Sequence, residues 1–167
     1  MNQILYIFGA IIVLGITTRS VNSLWLTKQE TLYMTEAQIT ANTLAQSLIE
    51  EILTKKYDEN SSPDSTLALS ELVPQNKLGT DTGEKSKDSK TFDDIDDYDN
   101  YKRTVPTPRM GNFDVKCNVY YVAETSPDKK SNISSFLKRI DVQIVNPYVG
   151  TSDNSITVSR IVSYRSN

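Results

Sequence analysis

The sequence of 167 residues contains no histidine and a single cysteine, Cys117. Without histidine, the chain lacks the commonest general base and the commonest metal ligand, and it cannot form a Ser-His or Cys-His nucleophilic pair. One cysteine cannot form an internal disulfide or a thiolate metal cluster. The alternating pattern around Cys117 indicates a small buried hydrophobe and not a reactive thiol. These absences argue against an enzyme.

The chain also lacks an excess of positive charge. It carries 18 basic and 21 acidic side chains, a net charge of −3, which argues against a nucleic-acid partner recognised through bulk charge. The charge is segregated, because the net charge is −1 over residues 1–55, −7 over residues 56–101 and +5 over residues 102–167. The acidic and basic segments can therefore pair within one copy, or between copies stacked head to tail.

Charged residues are absent from the first 18 positions, and residues 4–16 read ILYIFGAIIVLGI. As a helix, the first 18 positions span about 27 Å, close to the ~30 Å hydrocarbon core of a bilayer. A cleaved signal peptide and a buried core helix are the alternatives, but signal peptides usually begin with Lys or Arg, and neither precedes this run. We expect a retained anchor in inner-membrane lipid. Its candidate membrane and assembly residues are Ile4, Leu5, Ile7, Phe8, Ile11, Ile12, Val13, Leu14 and Ile16.

Two features disagree about which side of the membrane holds the rest of the chain. Arg19 and Lys28 are the first positive charges and come after the apolar run, so the positive-inside rule places the C-terminal part of the chain in the cytoplasm. The remainder is rich in Ser, Thr, Asn and Asp, which favours an extracytoplasmic location. We expect an extracytoplasmic head, on the cell surface or in the periplasm, and the sequence leaves this conflict open.

A second helical segment follows the anchor. From Leu24 to about Tyr57 the chain has no proline or glycine, and apolar residues recur at spacings of three and four, which predicts an amphipathic helix. Between the two segments, residues 15–23 (GITTRSVNS) are poor helix formers, so we expect a kink or a locally melted turn there. The residues predicted to pack on the head are Ala41, Leu44, Leu48 and Ile52.

The last third of the chain alternates between apolar and polar residues. The alternation covers residues 113–121, 140–144 and 156–164, with turn sequences at 126–128 and 146–150. Three antiparallel strands, with one face covered by the amphipathic helix, make a two-layer α+β fold. The predicted divisions are an anchor helix with a weak junction (1–23), an amphipathic helix (24–58), a polar mobile loop (59–91) and an Asp-rich turn with an antiparallel sheet head (92–167).

An aspartate run, residues 92–101 (FDDIDDYDNY), precedes these strands. Apolar residues at every third position predict a tight turn or short helix with the carboxylates projecting outward. The aspartates then cap turns and face water, or bind a calcium ion, or meet basic residues such as Arg139 or Arg160 from the sheet or a neighbouring subunit. The spacing differs from that of an EF-hand loop. The candidate calcium ligands are Asp93, Asp94, Asp96, Asp97 and Asp99, and no other cofactor is expected.

The order of hydrophobic N-terminus, amphipathic helix, polar loop and antiparallel sheet resembles type IV pilins and the pseudopilins of type II secretion. The segments LAQSLIEEILTKKYDEN (44–60), FDDIDDYDNY (92–101) and VSRIVSY (158–164) are most similar to minor pilins of the mannose-sensitive haemagglutinin pilus. This resemblance implies a structural filament subunit with other pilin-like subunits as partners. Gly9 and Gly15 have neither the basic leader before them nor the glutamate five residues after them that prepilins carry.

A function of another class remains open. A membrane-tethered, monomeric binding module would recognise calcium or a surface ligand through the aspartate run and the 61–91 loop. Size after detergent extraction separates the two functions, because a filament subunit is expected to copurify with pilus or secretion proteins. An enzyme is the least favoured class, since the sequence shows no nucleophile–base pairing.

Overall fold

The computed structural model describes residues 2–61, 67–150 and 155–164. Within these ranges one long helix, α1, is followed by three short 3₁₀ helices and a five-stranded antiparallel sheet, which is the predicted α+β arrangement. The elements are α1 Asn2–Leu53, the 3₁₀ helices Leu69–Glu71, Gln75–Lys77 and Asp96–Tyr98, and the strands β1 Lys102–Thr107, β2 Gly111–Ala123, β3 Ser126–Lys130, β4 Leu137–Val145 and β5 Ile156–Ser163.

Helix α1 contains 52 residues and runs without interruption through positions 15–23. The prediction of a locally melted turn in this segment is therefore wrong. The hydroxyl groups of Thr17, Thr18, Ser20 and Ser23 donate to main-chain carbonyls three or four residues earlier, at 2.8–3.0 Å. These hydrogen bonds satisfy the polar side chains within the helix, so their low helix propensity does not break it.

The sheet has the strand order β1-β2-β4-β5, and the short β3 pairs with the end of β2. All pairs are antiparallel. Strands β2, β4 and β5 correspond to the three predicted strands, whereas β1 and β3 were not predicted. Strand β3 occupies the segment at 126–128 that was predicted as a turn, because the hairpin with β2 extends through it and pairs Val122 with Lys130.

The hydrophobic core lies between one face of the sheet and the C-terminal half of α1. Among the residues predicted to pack on the head, Ala41, Leu48 and Ile52 are fully buried and Leu44 is partly buried. Alanines at this surface let the helix approach the sheet closely. The inward residues of β2 and β4 are also buried, as predicted, and they are Phe113, Val115, Cys117, Val119, Tyr121, Ile140, Val142 and Ile144.

Helix α1 ends at Leu53, before the boundary at residue 58 that the sequence suggested. Beyond it, the Lys56 N–H donates to the Asp93 carbonyl at 3.1 Å, and the Lys56 carbonyl accepts from the Ile95 N–H at 2.9 Å. These bonds take the place of the helical bonds that Lys56 would otherwise make. The segment after α1 is thereby held against the aspartate run.

The aspartate run forms a compact turn around the third 3₁₀ helix, in agreement with the predicted short helix. Its every-third residues are buried, and the ring centroid of Phe92 lies 4.8 Å from that of Tyr98 and 5.5 Å from that of Tyr101, edge to face in both cases. The Tyr98 hydroxyl donates to Glu51 of α1 at 3.0 Å. The sheet, the described parts of the 59–91 loop (59–61 and 67–91) and this turn together form the head, to which α1 is fixed.

Candidate assembly helix and buried lysine cluster

The N-terminal half of α1 projects from the head. Every described side chain from position 3 to position 35 is exposed, and the nine residues predicted for membrane and assembly contacts, between Ile4 and Ile16, are each 59–72% exposed. The helix is long and apolar enough to cross a membrane. An apolar surface of this length is unfavourable in water, so it requires lipid or the helices of other chains as cover.

Among the described residues, contacts between α1 and the head begin at Tyr33. Its ring stacks on that of Tyr148 with centroids 6.0 Å apart, and the Arg109 guanidinium lies 5.7 Å from the Tyr33 centroid. Arg109 also pairs with Glu36 at 3.4 Å. Residues 2–32, about 47 Å of helix, precede these contacts.

Three aspartates of the run are buried, so the prediction that the carboxylates project outward is wrong for them. Asp94, Asp96 and Asp97 are 2–3% exposed. Asp94 Oδ1 accepts the main-chain N–H groups of Asp96 and Asp97 at 2.8 and 3.2 Å. Asp97 Oδ2 accepts those of Asp93 and Asp94 at 3.0 and 3.1 Å. Each of these two carboxylates satisfies donors of its own turn, which allows the turn to be buried.

The other two aspartates have different partners. Asp99 Oδ1 accepts the Val119 N–H at 3.0 Å and so joins the run to β2. Asp93 forms a surface ion pair with Lys56 at 2.9 Å. The five aspartates therefore serve separate contacts and do not converge on one point.

Two groups of carboxylates in the described residues are close enough to share a cation. In each group, one oxygen from every member lies within 4.8 Å of the others, and the groups are Glu59, Asp93 and Asp94, and Glu84, Asp93 and Asp97. Carboxylate oxygens are the ligands that calcium prefers. Asp96 and Asp99 belong to neither group, so the residues that fit calcium are fewer than the five predicted. Calcium binding itself stays a prediction.

The cationic partner of Asp96 is Lys138, which the sequence analysis did not single out. The Lys138 side chain is fully buried, and its Nζ donates to Asp96 Oδ1 at 2.7 Å, to Asp58 Oδ2 at 3.2 Å and to the Tyr57 carbonyl at 2.5 Å. The ring centroids of Tyr57 and Tyr121 lie 4.6 and 5.4 Å from Nζ. These five residues, Lys138, Asp58, Asp96, Tyr57 and Tyr121, are called the buried lysine cluster below.

One of the three interpretations of the aspartate run paired it with Arg139 or Arg160, but within one copy these arginines lie elsewhere. Arg139 pairs with Asp128 at 2.7 Å and with Asp141 at 2.8 Å, and Arg160 is exposed on β5. The alternation of β4 explains the position of Arg139, because the even-numbered residues of β4 point into the core and its odd-numbered residues do not. The same alternation could have indicated that Lys138 is buried, since Lys138 is even-numbered like the buried apolar residues of β4.

Asp58 connects the buried lysine cluster to the 59–91 loop. Its Oδ2 accepts the Val73 N–H at 3.2 Å and the Tyr121 hydroxyl at 3.1 Å, and that hydroxyl also reaches the Val73 carbonyl at 2.9 Å. Several donors and the Lys138 ammonium thus replace the water that this carboxylate loses on burial. The cluster holds the segment after α1, the loop, β2 and β4 together.

The charge segregation seen in the sequence is partly balanced inside one copy. Lys138 belongs to the basic segment, whereas Asp58 and Asp96 belong to the acidic segment, and their ion pairs are buried. Arg103 of the basic segment pairs with Glu51 of α1 at 3.6 Å. The sequence allowed the acidic and basic segments to pair within one copy or between copies. Pairing within one copy is therefore present.

Burial changes the acidity of the aspartate run. Burial and the neighbouring carboxylates of Asp96 and Asp97 raise the pKa of Asp94 to about 9. Burial and a hydrogen bond with Glu84 raise the pKa of Asp97 to about 7. Burial also raises the pKa of Asp96, although the Lys138 ammonium opposes this effect. At neutral pH the run therefore carries less negative charge than five aspartates would in water.

Comparison of the chain with protein-family models, with curated proteins and with solved structures finds no match. The similarity to pilins therefore remains an expectation from the sequence. The division of α1 and the contacts of the head are the structural basis for a functional proposal.

Proposed function

We propose that this chain is a structural subunit, like a minor pilin or pseudopilin, of a type IV pilus or a type II secretion-type filament. The observation that carries the proposal is the division of α1. Its C-terminal half packs on the sheet, while its apolar N-terminal half projects and is exposed. In this role the projecting half lies in the inner membrane before assembly and in a bundle of neighbouring helices afterwards, with the head on the extracytoplasmic side.

The apolar half of α1 gives a physical reason for cooperative assembly. Exposing a buried methylene to water is unfavourable by about 0.8 kcal/mol, so an apolar helix does not leave the bilayer alone. It leaves when the helices of other subunits replace its contacts with lipid. Each subunit is therefore stabilised by those already in place.

Substitution of Ile12 by Asp tests the anchor and the assembly role together. A carboxylate at the centre of a membrane helix is unfavourable by about 3 kcal/mol. We expect Ile12→Asp to be released from membranes and to be absent from filaments. Fractionation of membranes and isolation of filaments from cells that express the full chain measure both properties.

Ile39→Asp is the matched control for membrane association. Ile39 is 63% exposed and Ile12 is 61% exposed, but Ile39 lies in the half of α1 that carries the head. The control should stay in the membrane fraction. Retention of Ile12→Asp in that fraction would count against the anchor and against the proposed function.

A tethered monomeric binding module is the second candidate, and the two carboxylate groups that share Asp93 favour it. Detergent extraction of the unmodified chain separates the candidates. A filament subunit is expected to copurify with pilin-like or secretion proteins. A strict monomer that binds calcium, measured by isothermal titration calorimetry, supports the module instead.

A further inference from the structure

The buried lysine cluster brings together an amine, a carboxyl carbon and a base. Lys138 Nζ lies 2.7 Å from Asp96 Oδ1 and 3.2 Å from Asp58 Oδ2, and the three side chains are at most 4% exposed. Because a carbon–oxygen bond measures about 1.2 Å, Asp96 Cγ lies no further than about 4 Å from the amine. This separation approaches that of a reactive pair.

The hydrogen bonds give the two carboxylates different roles. Asp58 Oδ2 accepts from Lys138 Nζ at 3.2 Å and from the Val73 N–H, so this carboxylate is placed to take a proton from the ammonium. Burial raises the pKa of Asp96, although the Lys138 ammonium and a hydrogen bond with Asp94 oppose this effect. Asp96 is therefore the carboxyl suited to react as a neutral acid.

The surroundings of the amine favour condensation over hydrolysis. The rings of Tyr57 and Tyr121 lie beside Nζ, and Lys138 and Asp58 are fully buried. Burying charged groups is unfavourable, so the conversion of a buried ion pair into a neutral amide removes this unfavourable contribution. A water molecule formed there is released to the solvent, and an amide formed there is shielded from attack.

We infer that Lys138 and Asp96 form an isopeptide bond within the folded head, with Asp58 as the base. The Lys138 ammonium transfers one proton to Asp58, and the lone pair of the neutral amine attacks Cγ of protonated Asp96. Asp58 then passes a proton from the nitrogen to the departing hydroxyl. An N–C bond forms, a C–O bond breaks and one water molecule leaves. No group is oxidised or reduced, and the product joins the aspartate run to β4 covalently.

Peptide mapping of the purified full-length chain tests this bond. Trypsin does not cleave after an acylated lysine, so the bond unites the peptides Thr91–Lys102 and Ser131–Arg139 into one species, lighter by one water than the two together. Fragmentation should locate the link at Asp96 and Lys138. Recovery of the two segments only as separate peptides, from a chain shown to be folded by circular dichroism, overturns the inference.

Two variants and one internal control test the roles assigned within the cluster. Asp58→Asn keeps the shape of the base but cannot accept the proton, and Asp96→Ala removes the carboxyl carbon, so both should give separate peptides. The Lys56–Asp93 pair is the control, because its atoms are 2.9 Å apart but both side chains are 52% exposed. A link in Asp58→Asn, or between Lys56 and Asp93, contradicts the roles given to the base and to burial. The wild-type digest decides the bond even where a variant does not fold.

Discussion

At the scale of single residues, the head holds several charged side chains away from water. Lys138 and Asp58 are fully buried, and Asp94, Asp96 and Asp97 are nearly so. Burying an ion is unfavourable by several kcal/mol unless partner groups replace water. Lys138 satisfies this condition with two carboxylates and a carbonyl. Burial, and after it the neighbouring acids, raise the pKa values of Asp94 and Asp97, so these two side chains take up protons more readily than a carboxylate in water.

The stability of the head should fall as the pH rises from about 4 to about 9, because of these raised pKa values. The pKa is about 9 for Asp94 and about 7 for Asp97, against 3.8 without the folded surroundings. The folded state therefore keeps protons that the unfolded state has released. The resulting stability is fully present below about pH 4 and is lost as the pH passes through the folded values. Urea denaturation across this range measures the free energy of unfolding, and an increase between these limits would contradict the assignment.

Asp97→Asn isolates one part of this pH dependence. The amide oxygen still accepts the N–H groups of the turn but the side chain cannot ionise, so the decrease between about pH 4 and about pH 7 should become smaller. Asp141→Asn is the comparison. Although burial opposes it, the hydrogen bond from Arg139 lowers the pKa of Asp141, so the stability that Asp141 contributes is lost only below about pH 4.

At the scale of elements, α1 is one continuous helix in two environments. Its C-terminal half presents Ala41, Leu48 and Ile52 to the sheet, and all three are fully buried. Its N-terminal half presents apolar side chains on every face and packs on nothing in the described parts of the chain. The head therefore depends on the C-terminal half for its stability and not on the N-terminal half.

Leu48→Ala tests this division within α1. Removing a fully buried leucine side chain should lower the free energy of unfolding of the head by about 2–5 kcal/mol. Leu32→Ala makes the same chemical change at a position that is 59% exposed, and it should change stability by less than about 0.5 kcal/mol. Near-ultraviolet circular dichroism of the buried tyrosines follows unfolding in detergent. Equal effects of the two substitutions would show that the division is misplaced.

The sequence predicted the elements whose periodicity matches their burial. Apolar residues recur with the helical period in the C-terminal half of α1, and they alternate with polar residues in β2 and β4. Each of these elements buries its apolar face, as expected. Strand β1 lies at the edge of the sheet, and β3 pairs only with the end of β2. Both carry lysine and proline and lack an apolar alternation, so their sequences do not indicate strands. Pairing with β2 imposes their extended conformation.

The candidate site was predictable only in part. The exposed apolar half of α1 follows from a local run of residues, which a sequence displays directly. The buried lysine cluster does not, because Asp58, Asp96 and Lys138 come from three distant segments and meet only in the folded head. A lysine at a core position of β4 is favourable only when the carboxylates of Asp58 and Asp96 lie beside it. The sequence around Lys138 does not show whether they do.

At the scale of the whole molecule, a head with a tightly held charged interior is joined to a projecting apolar helix. Residues 2–32 extend about 47 Å beyond the first contacts with the head, which exceeds the ~30 Å core of a bilayer. The apolar run is at the far end, and the first charges of the helix, Arg19 and Lys28, lie between that run and the head. This order suits a subunit that is anchored in lipid and then assembled through the same helix.

Cysteine labelling tests most directly whether lipid or neighbouring helices cover the projecting half of α1. The one native cysteine, Cys117, is fully buried, and Ile12 and Ile133 are 61% and 79% exposed in the isolated chain. In membranes or filaments, we predict that a water-soluble maleimide labels Ile133→Cys rapidly and Ile12→Cys slowly, and that oxidation links copies of Ile12→Cys into dimers. Equal labelling rates at the two positions, with no dimer, would contradict the account.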